Sequence, residues 1–177
     1  MNKYTLAFAC SQDGYIAKGP NDNPFNWTSQ EDKNHLNNLI SMHDWQVMGR
    51  TTHELHPNFD RKRVVFTRKV NLITLINENR NNQYYFNPDY CQWSDFEKKF
   101  SSDILVLGGT KVHDYFFYAE LLSKIYITVE PLKFNSGIPA FSYLNFHDLA
   151  PFFEAKGFKF QKSSLNNTGT ELLTFHK

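Results

Sequence analysis

Two stretches of this chain place a cation and hydroxyl residues just after a glycine that closes an apolar run. They are Trp45-Gln46-Val47-Met48-Gly49-Arg50-Thr51-Thr52 and Ile104-Leu105-Val106-Leu107-Gly108-Gly109-Thr110-Lys111. Glycine after a strand lets a ligand approach the backbone with no Cβ in the way, and a helix opening there points unpaired N–H groups at it. An anion is the natural guest. With Arg50 and Lys111 beside the turns, the pair predicts a phosphate-bearing nucleotide lying across two strand ends. Either turn alone reads as plain strand-to-helix punctuation, so the prediction rests on their recurrence.

Among the carboxylates, Asp32 stands out. It falls one helical turn after Ser29 and shares the core-facing side of a predicted helix with Leu36. A partly buried carboxylate there can hydrogen-bond a ring N–H of a heterocycle and tune a proton transfer, because burial raises its pKa. Ser29-x-x-Asp32 also fits a capping box, in which Asp32 only satisfies an orphan backbone N–H, and spacing leaves both roles open. Arg50 and Arg68 each follow a predicted strand, where ligands of open α/β sheets gather. His53 and His56 lack the i,i+4 spacing of a metal pair and have no third ligand nearby. Neither a G-x-S-x-G elbow nor a G-x-G-x-x-G fingerprint occurs, which argues against nucleophilic hydrolysis and a standard Rossmann dehydrogenase.

The elements that must position these residues alternate. Tyr4 to Cys10 reads as a buried strand ended by the turn at Asp13-Gly14, followed by a polar loop from Lys18 to Asn26. Leu36, Leu39, Ile40 and His43 recur at helical spacing, predicting a helix over Ser29 to His43. Val47-Met48, Arg63 to Thr67, Ile73 to Ile76, Gln83 to Phe86, Ile104 to Leu107 and Lys124 to Val129 read as strands. Helices are expected over Thr51 to Leu55, from a capping box at Ser94 to Glu97 on to Phe100, and over Thr110 to Leu122. The alternation implies a mainly parallel, doubly wound sheet. Gly157 to Ser163 and Thr170 to His176 break the pattern as an antiparallel hairpin on the sheet edge.

At 177 residues the chain fits one domain, 1–177, able to bury a core without disulfides or metals. Its hydrophobic content of 41% and charged content of 21% are those of a soluble globular protein, whereas 17 Phe and 9 Tyr are unusually many and are expected in the core and an interface. A net charge of +1 gives no field to gather nucleic acid or anionic membrane, so any cation acts locally. Cys10 and Cys91 form no C-x-x-C pair, and no stretch approaches the roughly 20 apolar residues of a bilayer span, so a cytoplasmic location with reduced thiols is expected.

With these residues in place, the chain resembles the dihydrofolate reductase superfamily, including the reductase domain at the C-terminus of RibD proteins of riboflavin biosynthesis. Ala9-Cys10-Ser11-Gln12-Asp13-Gly14-Tyr15-Ile16-Ala17 is similar to the family's first strand and the Asp-Gly turn that closes over the nicotinamide. Trp27 precedes Asp32 by five residues, as the active-site tryptophan precedes the acid in dihydrofolate reductases. Met48-Gly49-Arg50-Thr51-Thr52-His53-Glu54 is close to the family's M-G-R-x-T-x-E segment, and Val64-Val65-Phe66-Thr67-Arg68 is similar to the strand before the 2′-phosphate. Leu107-Gly108-Gly109-Thr110-Lys111 looks like the Gly-Gly turn under the pyrophosphate, with His113 where a Tyr is common.

The resemblance implies a three-layer fold with helices on both faces of the sheet, and NADPH as cofactor. It assigns the cofactor to Ala9, Ile16, Gly49, Arg50, Thr52 and Thr67, and to Arg68, Leu107, Gly108, Gly109, Thr110 and Lys111. Asp32, Thr128 and Trp27 would be catalytic, and Asp32, Leu36, Arg61 and His113 would meet a small heterocyclic substrate. The substrate divides two readings. Pro57-Asn58-Phe59-Asp60-Arg61 and the Trp27–Asp32 pair look folate-like, whereas Val129-Glu130-Pro131-Leu132 and Ser136-Gly137-Ile138-Pro139-Ala140-Phe141 are more like the riboflavin reductase domain, in which an acid at the Asp32 position is often missing. No deaminase-like zinc motif precedes the domain, so a stand-alone reductase is expected, and relatives of that type imply a homodimer. The rival of another class is an NADPH-binding protein without turnover.

Overall fold

The computed structural model describes residues 3–177. Nine strands form one sheet. In chain order these are β1 Lys3–Ser11, β3 Trp45–Gly49, β4 Arg63–Phe66, β5 Thr74–Asn77, β6 Arg80–Phe86, β7 Asp103–Gly108, β8 Leu122–Glu130, β10 Lys159–Ser164 and β11 Glu171–His176. Their spatial order is β10-β11-β8-β1-β7-β3-β4-β6-β5. The strands from β8 to β6 run parallel, while β5 at one edge and the β10–β11 hairpin at the other run antiparallel. A separate two-stranded sheet pairs β2 Tyr15–Ala17 with β9 Ile138–Pro139.

Period-two alternation decides which residues face which layer. On β1 and β7, Tyr4, Leu6, Cys10, Ile104 and Val106 point into the larger core, whereas Ala7 and Leu105 point to the opposite face. That second face packs against helix α1 Gln30–Met42 through Leu39 and Ile40. On β8 the same rule sends Ile125, Ile127 and Val129 into the larger core and leaves Tyr126, Thr128 and Glu130 on the alternate positions. The larger core holds Phe96 of helix α3 Trp93–Lys99, Phe116 of α4 Thr110–Tyr118 and Phe153 of α5 Leu149–Ala155, all fully buried. Phe66, Phe86, Trp93, Phe96 and Phe116 touch ring to ring there, so much of the aromatic surplus is core.

Two sequence expectations need correction, and two elements are additional. The third helix begins at Trp93 with Gln92 as its N-cap, so Ser94 lies inside it and caps nothing. Helix α4 ends at Tyr118 rather than Leu122, because Glu120 takes a left-handed conformation at φ 55° and Leu122 already opens β8. The small β2–β9 sheet and α5 are unforeseen. Each is short and takes its stability from packing on other parts of the chain, which local periodicity does not register. Among the described residues no helix is long and apolar enough to cross a membrane.

Candidate active site

A cavity of about 490 Å³ opens at the carboxyl ends of β1, β3 and β7, the position where open α/β sheets receive ligands. One wall is the α1 side of the sheet, with Asp32, His35, Leu36, Tyr126 and Thr128. The other carries both glycine turns, with Gly49, Arg50 and Thr52 on one and Gly109, Thr110 and Lys111 on the other. Ile16, Ala17 and Ile138 bring the β2–β9 sheet over the opening.

Asp32 owes its burial to its place in the first turn of α1. Ser29 caps that helix, its Oγ accepting the Asp32 amide at 3.2 Å. The return half of the box is made by a different residue, because the Ser29 amide donates to Glu130 Oε1 at 2.7 Å. The Asp32 carboxylate is therefore spared from capping and meets the Thr128 and Thr28 hydroxyls instead. Burial pushes the Asp32 carboxyl above the usual carboxylate range, and the Glu130 charge pushes the same way. The two hydroxyls and Lys33 pull against them.

Glu130 is itself buried and doubly satisfied. Its second oxygen accepts the Thr170 hydroxyl at 2.8 Å, which ties the tip of the β10–β11 hairpin to the start of α1. Sequence reasoning misses this role, although a lone acid ending the apolar alternation of β8 is a usable signal.

The glycine turns open two helices at the cavity wall. Helix α2, Arg50–Leu55, and α4 begin at Gly49 and Gly109, and neither N-cap has a side-chain hydrogen bond. Their first N–H groups are not satisfied by a capping side chain, beside the cations Arg50 and Lys111. Arg50 pairs with Glu54 at 3.5 Å on the exposed face of α2, a contact that an incoming phosphate can displace. Thr110 Oγ1 donates to the Pro139 carbonyl at 2.5 Å and so joins the second turn to β9. Gly108 has φ +105°, its peptide to Gly109 is cis, and a Cβ on it would collide with Nε2 of His113. His113 is fully buried and stacks on Phe8 at 4.8 Å, with Nδ1 2.8 Å from the Ala140 carbonyl. Burial holds its imidazole down, to about 4.

Most predicted site residues converge. Ala9, Leu36, Arg61, Leu107 and His113 line the cavity together with Asp32, Thr128 and the turn residues. Four do not line it. Trp27 hydrogen-bonds Asp22 through Nε1 at 3.2 Å and packs edge-on against Phe134. Thr67 is buried with its hydroxyl receiving the Lys69 amide at 3.3 Å, and Arg68 stands exposed after β4. Gly108 lies behind the wall, against His113.

Other polar residues line the cavity without having been singled out, His35 and Arg63 among them. His35, in α1, has a buried Nε2 without a partner and packs edge-on against Tyr126. Arg63, the first residue of β4, is buried and donates through Nη1 to the His56 carbonyl at 2.8 Å. A charged residue opening the run Val64-Val65-Phe66 was the available signal for it.

No known family matches the chain, and no curated protein matches it in sequence. Solved structures do match. A candidate riboflavin biosynthesis protein from Shewanella sp. PV-4 superposes with a TM-score of 0.70 at 17% identity, covering 98% of each chain. Dihydrofolate reductase from Enterococcus faecalis, complexed with NADP(H) and RAB-propyl, superposes with a TM-score of 0.65 at 15% identity, covering 98% of this chain and 95% of that one. These likenesses establish a dihydrofolate reductase-like fold over nearly the whole length.

Proposed function

We propose that this chain is an NADPH-dependent reductase of a heterocyclic substrate, a pterin or a pyrimidine intermediate of the riboflavin type. The observation that carries the reading is the pairing, in one cavity, of an uncapped anion-binding wall with a buried carboxylate that is free of its capping role. When bound, NADPH would supply a hydride to the carbon of a C=N bond and leave as NADP⁺. Gly49, Arg50, Thr52, Gly109, Thr110 and Lys111 would hold its phosphates, and Ala9 and Ile16 would flank its ring.

Asp32, with its pKa raised, would deliver or relay the proton that the reduced nitrogen takes up. Thr128 fixes the carboxylate by its hydrogen bond, and Leu36 and the β2–β9 sheet keep bulk water away. Likeness over nearly the full length of the Shewanella protein supports the pyrimidine side of the reading, while the acid at position 32 supports the pterin side.

The test is to offer purified protein and NADPH dihydrofolate, other pterins and the riboflavin-pathway aminopyrimidine in turn, and to follow NADPH oxidation. Consumption with one of them identifies the substrate. Thermal stabilisation by NADPH with no consumption would leave a cofactor-binding protein without turnover.

A further inference from the structure

A second cavity, of about 100 Å³, lies at the opposite end of the parallel strands from the first. Leu122, which opens β8, lines it, and no described residue lines both cavities. Its wall is aromatic. Phe117 and Tyr118 of α4, Phe152 and Phe153 of α5, and Phe158 just after α5 surround the space. Neighbouring rings touch, with centroids 5.1 Å apart for Phe117–Tyr118 and Phe117–Phe152 and 5.6 Å apart for Phe153–Phe158. Phe153 and Phe158 are buried while Tyr118 is 55% exposed, so the cup is closed at its base and open at its rim.

Three charged side chains stand at that rim, Glu120, Lys156 and Lys177. Lys156 Nζ meets Glu120 Oε1 at 2.6 Å, and Lys177 holds its ammonium 4.9 Å over the Phe158 ring. The Lys156 hydrogen bond and charge, with a smaller pull from Lys177, hold the Glu120 carboxyl below its usual range. Among the described residues no acid makes an ion pair with Lys177. Two lysines against one glutamate leave the rim with positive charge in excess.

An empty aromatic cup forfeits dispersion contacts on its inner face, and an apolar guest recovers them better than water does. A closed apolar cavity of about 150 Å³ takes in a whole benzene. This one is smaller and open, so a single ring enters edge-first and leaves its substituent at the rim. The excess charge there selects the substituent. A carboxylate is drawn to Lys177, whereas an ammonium group would meet two lysines and compete with one already seated on Phe158.

We propose that this cup is a second ligand site, for a small aryl carboxylate whose ring packs among Phe117, Phe152 and Phe158 and whose carboxylate meets Lys177. The site is independent of the reductase reading, because it shares no residue with the first cavity.

The experiment titrates the full-length protein with benzoate and with benzamide, its uncharged counterpart, in low-salt buffer and follows amide nitrogen-15 spectra. Benzoate should shift the Leu122, Phe158 and Lys177 signals and bind at least fivefold more tightly than benzamide. Lys177→Met keeps an apolar stem over Phe158 and should abolish that preference, while Tyr118→Ala should weaken both ligands at least threefold. Both side chains are exposed, so neither substitution disturbs the core. Equal affinity for the two ligands, shifts confined to residues of the first cavity such as Leu36 and Gly109, or an undiminished preference for benzoate in Lys177→Met would overturn the proposal. So would a concentration-dependent dimer that buries the cup and excludes benzoate, since the occupant would then be a second copy of the chain.

Discussion

Glu130 Oε1 accepts the Ser29 amide at 2.7 Å, and this one bond decides what Asp32 is free to do. In a self-contained capping box Asp32 would reach back to that amide. Here a strand 101 residues away supplies the acceptor, so the helix is capped from outside and the Asp32 carboxylate faces Thr28, Thr128 and the cavity.

Removing the charge at position 130 should therefore show at position 32. Glu130→Gln takes away a like charge, so the Asp32 pKa should fall, read from the Asp32 carboxyl carbon-13 shift against pH. Glu130→Ala also strips the acceptors of Ser29 and Thr170. It should cost about 2–4 kcal/mol of stability in urea unfolding, the order expected for two buried donors left unpaired. An unmoved Asp32 pKa would show that the two carboxylates are electrically independent.

Asp32→Asn keeps the size of the side chain and one acceptor oxygen but cannot transfer a proton. Turnover of the substrate identified by NADPH oxidation should drop by roughly 10²–10⁴-fold, as for loss of a general acid, with NADPH affinity unchanged. Full activity in this variant would remove Asp32 from the chemistry while leaving the fold untouched.

His113 predicts an acid-side stability loss. Its ordinary pKa of 6.5 is depressed to about 4 in the fold, so the unfolded chain binds a proton first as pH falls. The contribution is fully present above pH 6.5 and is lost progressively down to about pH 4, a change of about 3 kcal/mol. The raised pKa of Asp32 acts in the opposite direction. Unfolding free energies across this window should slope less steeply for His113→Gln than for the native chain, and identical slopes would discount the histidine.

Gly137 is the point at which the small sheet is most exposed to a single change. A Cβ there would collide with the Ala17 carbonyl and press on Tyr15. Gly137→Ala should push β2 from β9, displacing Ile16 and Ile138 from the cavity. The expected outcome is a stability loss of about 1–3 kcal/mol together with weaker NADPH binding in a fluorescence titration. Unchanged binding would show that this sheet does not cover the cofactor.

The parallel core of the sheet was legible in the chain because its buried strands are continuous apolar runs and its glycine turns carry their own chemistry. Val64-Val65-Phe66 and Ile104 to Leu107 announce themselves in this way, and so does the amphipathic pattern of α1. The edges were less legible. Helix α5, the β2–β9 pair and the end of α4 depend on contacts with distant residues, such as the Thr110 hydroxyl on Pro139.

Sequence by itself determined where the candidate site forms, at the ends of β3 and β7 where glycine, cation and hydroxyl residues follow apolar runs, an arrangement whose local backbone geometry suits an anion. Only the tertiary structure decided how the charged residues within it act. Whether Asp32 caps or faces the cavity depends on Glu130, and whether Arg63 is paired depends on which carboxylates approach it. Charge interactions are set by through-space distance and burial, and neither is written in the spacing of residues along a chain.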